Sequence, residues 1–245
     1  MRNPFVSVII PVLHDAGPLA ELLERLHPTG RVEVVVANGD AGDPALAAVR
    51  RLWPAVQWVD SPPGRGLQMN AGAARAAGHW LLFLHADARL ADGWLDEIGR
   101  AAAEGAVGGC YRLEIDSPRW QARLIERGVR WRVFWLGLAY GDQGLFIRRD
   151  LFHAIGCYRL IPVMEDADLV RRMRRHGRFR RSAVGVCVSA RRWERDGWVR
   201  RTALNLWILL FYLAGRLGLL YPVWQDPVAT VSESGNRSVP PAGQT

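Results

Sequence analysis

Along roughly the first third of the chain, uninterrupted apolar runs alternate with stretches of helical spacing. Val6 to Val12, β-branched and checked at Pro11, predicts a buried strand, and Val32 to Ala37 predicts a second. Val56 to Val59 predicts a short third strand, and the charge-free run Trp80 to Leu84 a fourth. Between them Leu19, Leu22, Leu23 and Leu26 recur at the spacing of a helix face. Pro44 to Leu52 predicts a helix with Asp43 as its N-cap, and Leu67 to Ala77 an Ala-rich helix closed by Gly78. Strand and helix alternating through short links predict an α/β fold, with a mostly parallel central sheet and helices on both faces.

After Asp87 the rhythm loosens. Gly93 to Glu104 reads as a helix, Val107 to Ile115 as a strand, and Trp120 to Leu136 as an amphipathic helix of Arg and aromatic residues. Gly144 to Ile147 predicts a brief strand, and Glu165 to His176 a helix stopped by Gly177. These patterns suggest one domain over 1–197, with a nucleotide-binding half at about 1–90 and an acceptor half at about 91–197. An apolar helical segment over 198–224 follows, and the Pro/Ser/Gly-rich stretch 225–245 is expected to be disordered. The uncharged run Ala203 to Gly215 is thirteen residues, whereas one membrane span needs about 20. Three readings stay open for it: a helix packed on the domain or a partner, one lying in a bilayer surface, or a span. Arg191, Arg192, Arg195, Arg200 and Arg201 just before it would suit anionic headgroups.

Composition changes the picture modestly. The chain has 245 residues, 49% hydrophobic and 23% charged, which is globular. Its net charge is +8 and all 32 basic residues are Arg, which favours anionic partners. No nucleic-acid-binding motif accompanies that charge, so nucleic acid is not the expected partner. Cys110, Cys157 and Cys187 are odd in number and lack CxxC spacing, as expected of reduced thiols in the cytoplasm. Met1 to Phe5 leads straight into a strand, so no leader is expected.

The candidate chemistry lies at strand ends. The stretch Gly64 to Asp87 runs through a glycine-rich entry, a small-residue helix and an apolar strand to His85-Ala86-Asp87. Open α/β sheets bind ligands outside the carboxyl ends of their strands. Asp87 is there either a turn or cap residue or a carboxylate ligand for Mg²⁺ or Mn²⁺. His85, on the same face of an extended backbone, is a second ligand or a core histidine. Asp15, Asn38 and Asp43 follow the first two strands on the same edge, as turn and cap residues or as groups that read a base and ribose. Glu165-Asp166 opens a helix whose later turns carry Arg171, Arg172, Arg174 and Arg175. Helix-dipole complementarity accounts for that order, and a helix N-terminus also suits an ionised general base.

Taken together, Ser7-Val8-Ile9-Ile10-Pro11, Val34 to Gly39, Leu81 to Asp87 and Met164-Glu165-Asp166 resemble the family-2 glycosyltransferases, nucleotide-sugar enzymes of the GT-A fold. The resemblance covers about Val6 to Trp224. Gly64 to Asn70, Leu84 to Asp87, Gly141 to Gly144, Met164 to Asp166 and Ala190 to Glu194 resemble a bacterial subgroup associated with radical-SAM and selenium-related gene neighbourhoods. The resemblance implies a Rossmann-like GT-A sheet. It implies a nucleotide-sugar site formed by Pro11, Asp15, Asn38, Asp43, Arg65, Gln68, Asn70 and Asp87. Asp87, with His85, would hold Mg²⁺ or Mn²⁺. Asp166 would be the base for an acceptor hydroxyl, with Glu165 beside it. Asp142, Gln143, Arg191, Arg192 and Trp193 would line the acceptor or diphosphate. Inversion at the anomeric carbon is implied as well.

Two residues depart from the family pattern. Asn38 stands where the family usually has Asp, and His85 replaces the first carboxylate of the metal motif. The implied activity is metal-dependent, inverting sugar transfer to an unidentified acceptor in the cytoplasm, at most peripheral to the inner face of the membrane. The departures motivate an alternative, a catalytically silent nucleotide-sugar binder or membrane-docked scaffold. A nucleotidyltransferase on a similar sheet usually needs a Lys-containing phosphate loop, and this chain has no Lys.

Overall fold

A computed structural model describes residues 5–26, 28–161 and 163–215. The expected tail at 225–245, and residues 216–224 of the apolar segment, lie outside the described residues. The chain divides into two compact units, Met1–Thr202 and Ala203–Thr245.

In chain order the first half comprises β1 (Val6–Val12), α1 (Ala16–Arg25), β2 (Val32–Asn38), α2 (Pro44–Leu52), β3 (Gln57–Asp60), α3 (Arg65–Arg75) and β4 (Trp80–Phe83). Then come β5 (Ala88–Leu90), α4 (Trp94–Ala103), β6 (Gly108–Asp116), α5 (Trp120–Trp135), a 3₁₀ turn at Gly141–Gln143, β7 (Leu145–Arg148) and α6 (Arg149–Ala154). The last elements are α7 (Glu165–Met173), β8 (Phe179–Ser189), α8 (Arg191–Asp196) and α9 (Trp198–Leu213).

Among the described residues eight strands form one sheet in the order β3-β2-β1-β4-β7-β6-β8-β5. The first four pair in parallel, as the alternation predicts. β7 then joins β4 antiparallel, β6 joins β7 antiparallel, β8 runs parallel to β6, and β5 closes the edge antiparallel to β8. The runs that read as continuous apolar strands are the ones covered on both faces, since β4 is buried throughout and β1 at all but Pro11.

Small residues in α3 let the helix press onto the sheet. A Cβ on Gly72 would lie 2.5 Å from Cγ2 of Ile9. Gly78 is needed for similar reasons: its N–H donates to Ser7 Oγ at 2.8 Å, and a Cβ there would meet the Ser7 backbone. Because β1, β2 and β4 run parallel, their carboxyl ends share one rim, and the loops after them open onto it.

The structure adds β5, α6, β8 and α8, which the hydrophobic pattern did not disclose. β8 begins Phe179-Arg180-Arg181-Ser182 and is only partly buried over its first half, so it has neither a continuous apolar run nor clean alternation. The helix from Glu165 stops at Met173, short of His176. Among the described residues no helix is long and apolar enough to cross a membrane.

Candidate active site

The rim is tied together by one guanidinium. Asp15 precedes α1 but its side chain caps nothing, remains 49% exposed, and lies 3.8 Å from Arg191 Nη2. The same Nη2 is 3.6 Å from Asp87 Oδ2, past the end of β4. Arg191 opens α8, beside the end of β8, so a late element of the chain reaches the loops after β1 and β4.

Other rim residues shape the loops. Asn38, buried at the end of β2, accepts from the Asp40 N–H at 3.0 Å and donates to Asp40 O at 2.9 Å and Asp60 Oδ1 at 3.1 Å. Its amide is therefore engaged within the protein and holds the turn. Asp43 caps α2 by accepting from Ala45 N at 2.8 Å and Leu46 N at 3.2 Å. The His14 imidazole 3.2 Å away, then the Leu46 N–H, hold its carboxyl below the usual range. Pro11 is half-buried in β1, opposite Ala37.

α3 contributes residues of two kinds. Gln68 is buried, and its Nε2 donates to Val12 O at 2.7 Å and Ala37 O at 3.0 Å, closing the ends of β1 and β2. Asn70 clasps the backbone of Tyr158, donating to its O at 2.9 Å and accepting from its N at 2.9 Å. Gln68 and Asn70 thus position other groups, and the structure does not turn them toward open space. Arg65 does reach it: its side chain is 41% exposed while Nη1 lies 3.4 Å from Glu165 Oε1. Burial opposes its charge, but Asp166, Glu165 and Asp142 together outweigh that and hold it firmly cationic.

Opposite Arg65, Glu165 and Asp166 occupy the first turn of α7, entered through Met164 in the left-handed region at φ 67°. A non-glycine residue there is a strained backbone, the kind found where position matters more than comfort. Asp166 packs against Gly141, where a Cβ would come within 2.7 Å of Oδ2. Burial, then the charge of Glu165, push the Asp166 carboxyl up to about 7, with Arg65 opposing them. Asp168, one turn farther in, is a structural acid, bonded to Arg172 Nε at 2.7 Å. Asp142 is held above the usual carboxylate range by burial, against the pull of Arg132. Gln143 is buried, donates to Tyr111 O at 3.3 Å, and accepts from Arg132 Nη2 at 3.2 Å, so it too is engaged internally.

His85 is kept neutral, well below its usual range, by burial first and then by the cations Arg65 and Arg192. Burial and Arg65 also lower Arg192, while Asp87 and Asp142 support its charge. Arg65 and Arg192 both act electrostatically on His85 and Asp142, while Asp166 supports the charge of Arg65 and Asp87 that of Arg192, so these groups neighbour one another. Three side chains here carry a buried polar atom without a hydrogen bond, His85 Nε2, Asp142 Oδ1 and Trp193 Nε1, while the Tyr158 hydroxyl and Asp166 face each other. Buried polar atoms are nearly always satisfied, so such a concentration marks a place prepared for a ligand. Trp193 follows Arg192 and stacks on Trp198 with ring centroids 6.1 Å apart.

Asp87 and His85 are of the donor types that a divalent ion takes. Asp87 offers an accessible carboxylate and His85 a neutral imidazole with an uncommitted Nε2. Among the described residues no three His, Cys, Asp or Glu side chains converge.

Sequence reasoning missed Tyr158, whose hydroxyl lies beside Asp166 and whose backbone Asn70 holds. It belongs to no motif, and only the fold brings it to the site.

Known proteins resemble this one in sequence and fold. The profile described as "Glycosyl transferase family 2" matches residues 7–169. A PGL/p-HBAD biosynthesis glycosyltransferase of Mycobacterium bovis is 30% identical over 184 residues, 69% of each chain. An uncharacterized protein of Mycobacterium tuberculosis, MT1568, is 29% identical over 138 residues, and the match spans 53% of this chain but 43% of that one. Among solved structures, S. aureus TarS 1–349 in complex with UDP-GlcNAc aligns at a TM-score of 0.58 and 16% identity, over 76% of this chain and 58% of that one. The sheet is therefore of the GT-A type.

Proposed function

Because this chain belongs to glycosyl transferase family 2, we propose that its cleft moves a sugar from a nucleotide-diphosphate sugar to an acceptor hydroxyl, with inversion at the anomeric carbon. The observation that carries this is the cation Arg65, 3.4 Å from Glu165 and beside the buried, proton-ready Asp166. A TarS structure in complex with UDP supports the donor class.

In this reading Asp15, whose carboxylate caps nothing, contacts the nucleoside, while Asn38 and Asp43 hold the loops that frame it. Arg65, Arg191 and Arg192 line the diphosphate and offset the charge that grows on it as the sugar departs. Asp87 and His85 hold Mg²⁺ or Mn²⁺, which when bound adds Lewis-acid neutralisation of the same phosphates. Asp166 Oδ1 takes the acceptor proton as the hydroxyl oxygen bonds to the anomeric carbon and the diphosphate leaves. Glu165 keeps Arg65 in place and raises the basicity of Asp166. Asp142 and the Trp193 Nε1–H face the acceptor side. Gln143, Gln68, Asn70 and Pro11 support the walls. The motifs at Gly64 to Asn70 and Ala190 to Glu194 support membership of the bacterial subgroup, acting in the cytoplasm on an acceptor of unspecified class.

The test is thermal-shift and calorimetric binding of a nucleotide-sugar panel with Mn²⁺, followed by donor hydrolysis and transfer assays. Asp166→Ala should bind donor normally and lose about 10²- to 10⁴-fold in turnover. Asp87→Ala should lose donor affinity in Mn²⁺. Full turnover by both variants defeats the assignment, and binding without hydrolysis or transfer by the parent would favour a silent nucleotide-sugar binder.

A further inference from the structure

α5 is amphipathic the wrong way round. Its inward residues Ala122, Val129 and Val133 are small, and the inward Glu126 accepts the Ile115 N–H at 2.7 Å. Its outward face carries the large groups: Trp120 is 70% exposed, Trp131 60% and Trp135 67%, with Leu124 and Phe134 beside them. Large apolar side chains gathered in one exposed stripe mark an interaction surface.

The charges on this face have one sign. Arg119, Arg127 and Arg130 are exposed along the helix, while Arg123 pairs with its one acid, the buried Glu126, at 2.9 Å. Asp116, just upstream, is already paired with Arg89. At the C-terminal end of the stripe lies a cavity of about 250 Å³ whose lining includes Val133, Gly137, Arg174 and Arg181. Arg174 lies directly over Gly137, which has φ 64° and no room for a Cβ. Arg181 sits 4.8 Å from the Phe134 ring centre and donates to Phe134 O at 3.3 Å. Among the described residues neither Arg174 nor Arg181 has an acidic ion-pair partner.

We propose that the outer face of α5 docks this protein on an anionic lipid bilayer, with a lipid phosphate seated between Arg174 and Arg181. Tryptophan and arginine together favour the boundary between headgroups and acyl chains, where an amphipathic ring and a delocalised cation are both satisfied. A second protein copy fits this face poorly, because it would bring two rows of exposed arginines together.

The full-length protein is mixed with vesicles of phosphatidylcholine alone or with about one third phosphatidylglycerol, and bound protein is measured by flotation. Binding should require the anionic lipid and weaken as salt rises. Trp131→Glu/Trp135→Glu should reduce binding at least tenfold, and Arg174→Gln/Arg181→Gln about tenfold or more, at roughly a few-fold per cation. Nucleotide binding and melting temperature should stay at parent values, which shows that the variants fold. Leu206→Glu/Leu210→Glu serves as a comparison on α9. Equal flotation of the parent and the α5 variants, loss confined to the α9 variant, or no lipid binding by the parent would overturn the proposal. So would a lipid-free dimer, seen by sedimentation, that Trp131→Glu/Trp135→Glu splits.

Discussion

At the scale of single residues, Asp166, the base proposed above, would serve chemistry at a cost in stability. Burial and Glu165 raise it from 3.8 to about 7. Between those values the folded protein holds a proton that the unfolded chain has released, so stability declines as pH climbs through the window. Asp166→Asn removes the titration. The variant should therefore melt at nearly the parent temperature near about pH 3, pull ahead of it as pH climbs from about 4 to 7, and stand several degrees above it near about pH 8. A base must be ionised, so parent turnover should rise through about pH 7 and level off above it, while the variant shows no such limb. Melting curves and initial rates across that range check both outcomes. The sequence already flagged Asp166, Asp87 and Asp15, because acids at strand ends and helix starts are visible as positions. It did not reveal that Arg191 bridges Asp15 and Asp87, or that Asn38 and Gln68 spend their amides on backbone neighbours. The Arg191 and Gln68 partnerships join segments far apart in the chain, about which local patterns carry no information, whereas Asn38 turns back on Asp40 two residues away.

At the scale of elements, legibility followed coverage. β1, β2 and β4 are buried on both faces and announce themselves as apolar runs, and α1 and α2 show their stripes plainly. β8 stayed hidden because its first half is only partly buried and accommodates Arg180 and Arg181. α5 was read as amphipathic from its mixture of Arg and aromatics, but periodicity cannot say which face is turned inward. The tertiary fit decided that, and it chose the small residues. The element with the most to reveal about positioning is α3, since Asn70 fixes the backbone of Tyr158 and hence the wall against Asp166. Asn70→Ala should cost about 1–3 kcal/mol in urea unfolding, through the two stranded backbone groups. It should lower kcat more than it raises the donor KM, because the displaced wall faces the base. Unchanged kcat with the same loss of stability would restrict Asn70 to holding the fold.

At the scale of the whole molecule, the boundary near residue 90 that the sequence suggests does not divide the architecture. β4, from the first half, is flanked on one side by β1 and on the other by β7, from the second. Pieces covering 1–90 and 91–245 would each end in a bare strand edge with unpaired backbone groups, a template for aggregation. Expressed singly they should collect as insoluble material; produced together they should recover as one soluble complex, which size-exclusion chromatography would show. Strand β7 thus works as a rivet: duplication or shuffling of the first ninety or so residues alone is foreclosed, and under the proposed function a change of donor or acceptor would have to come from rewriting loops around an indivisible sheet.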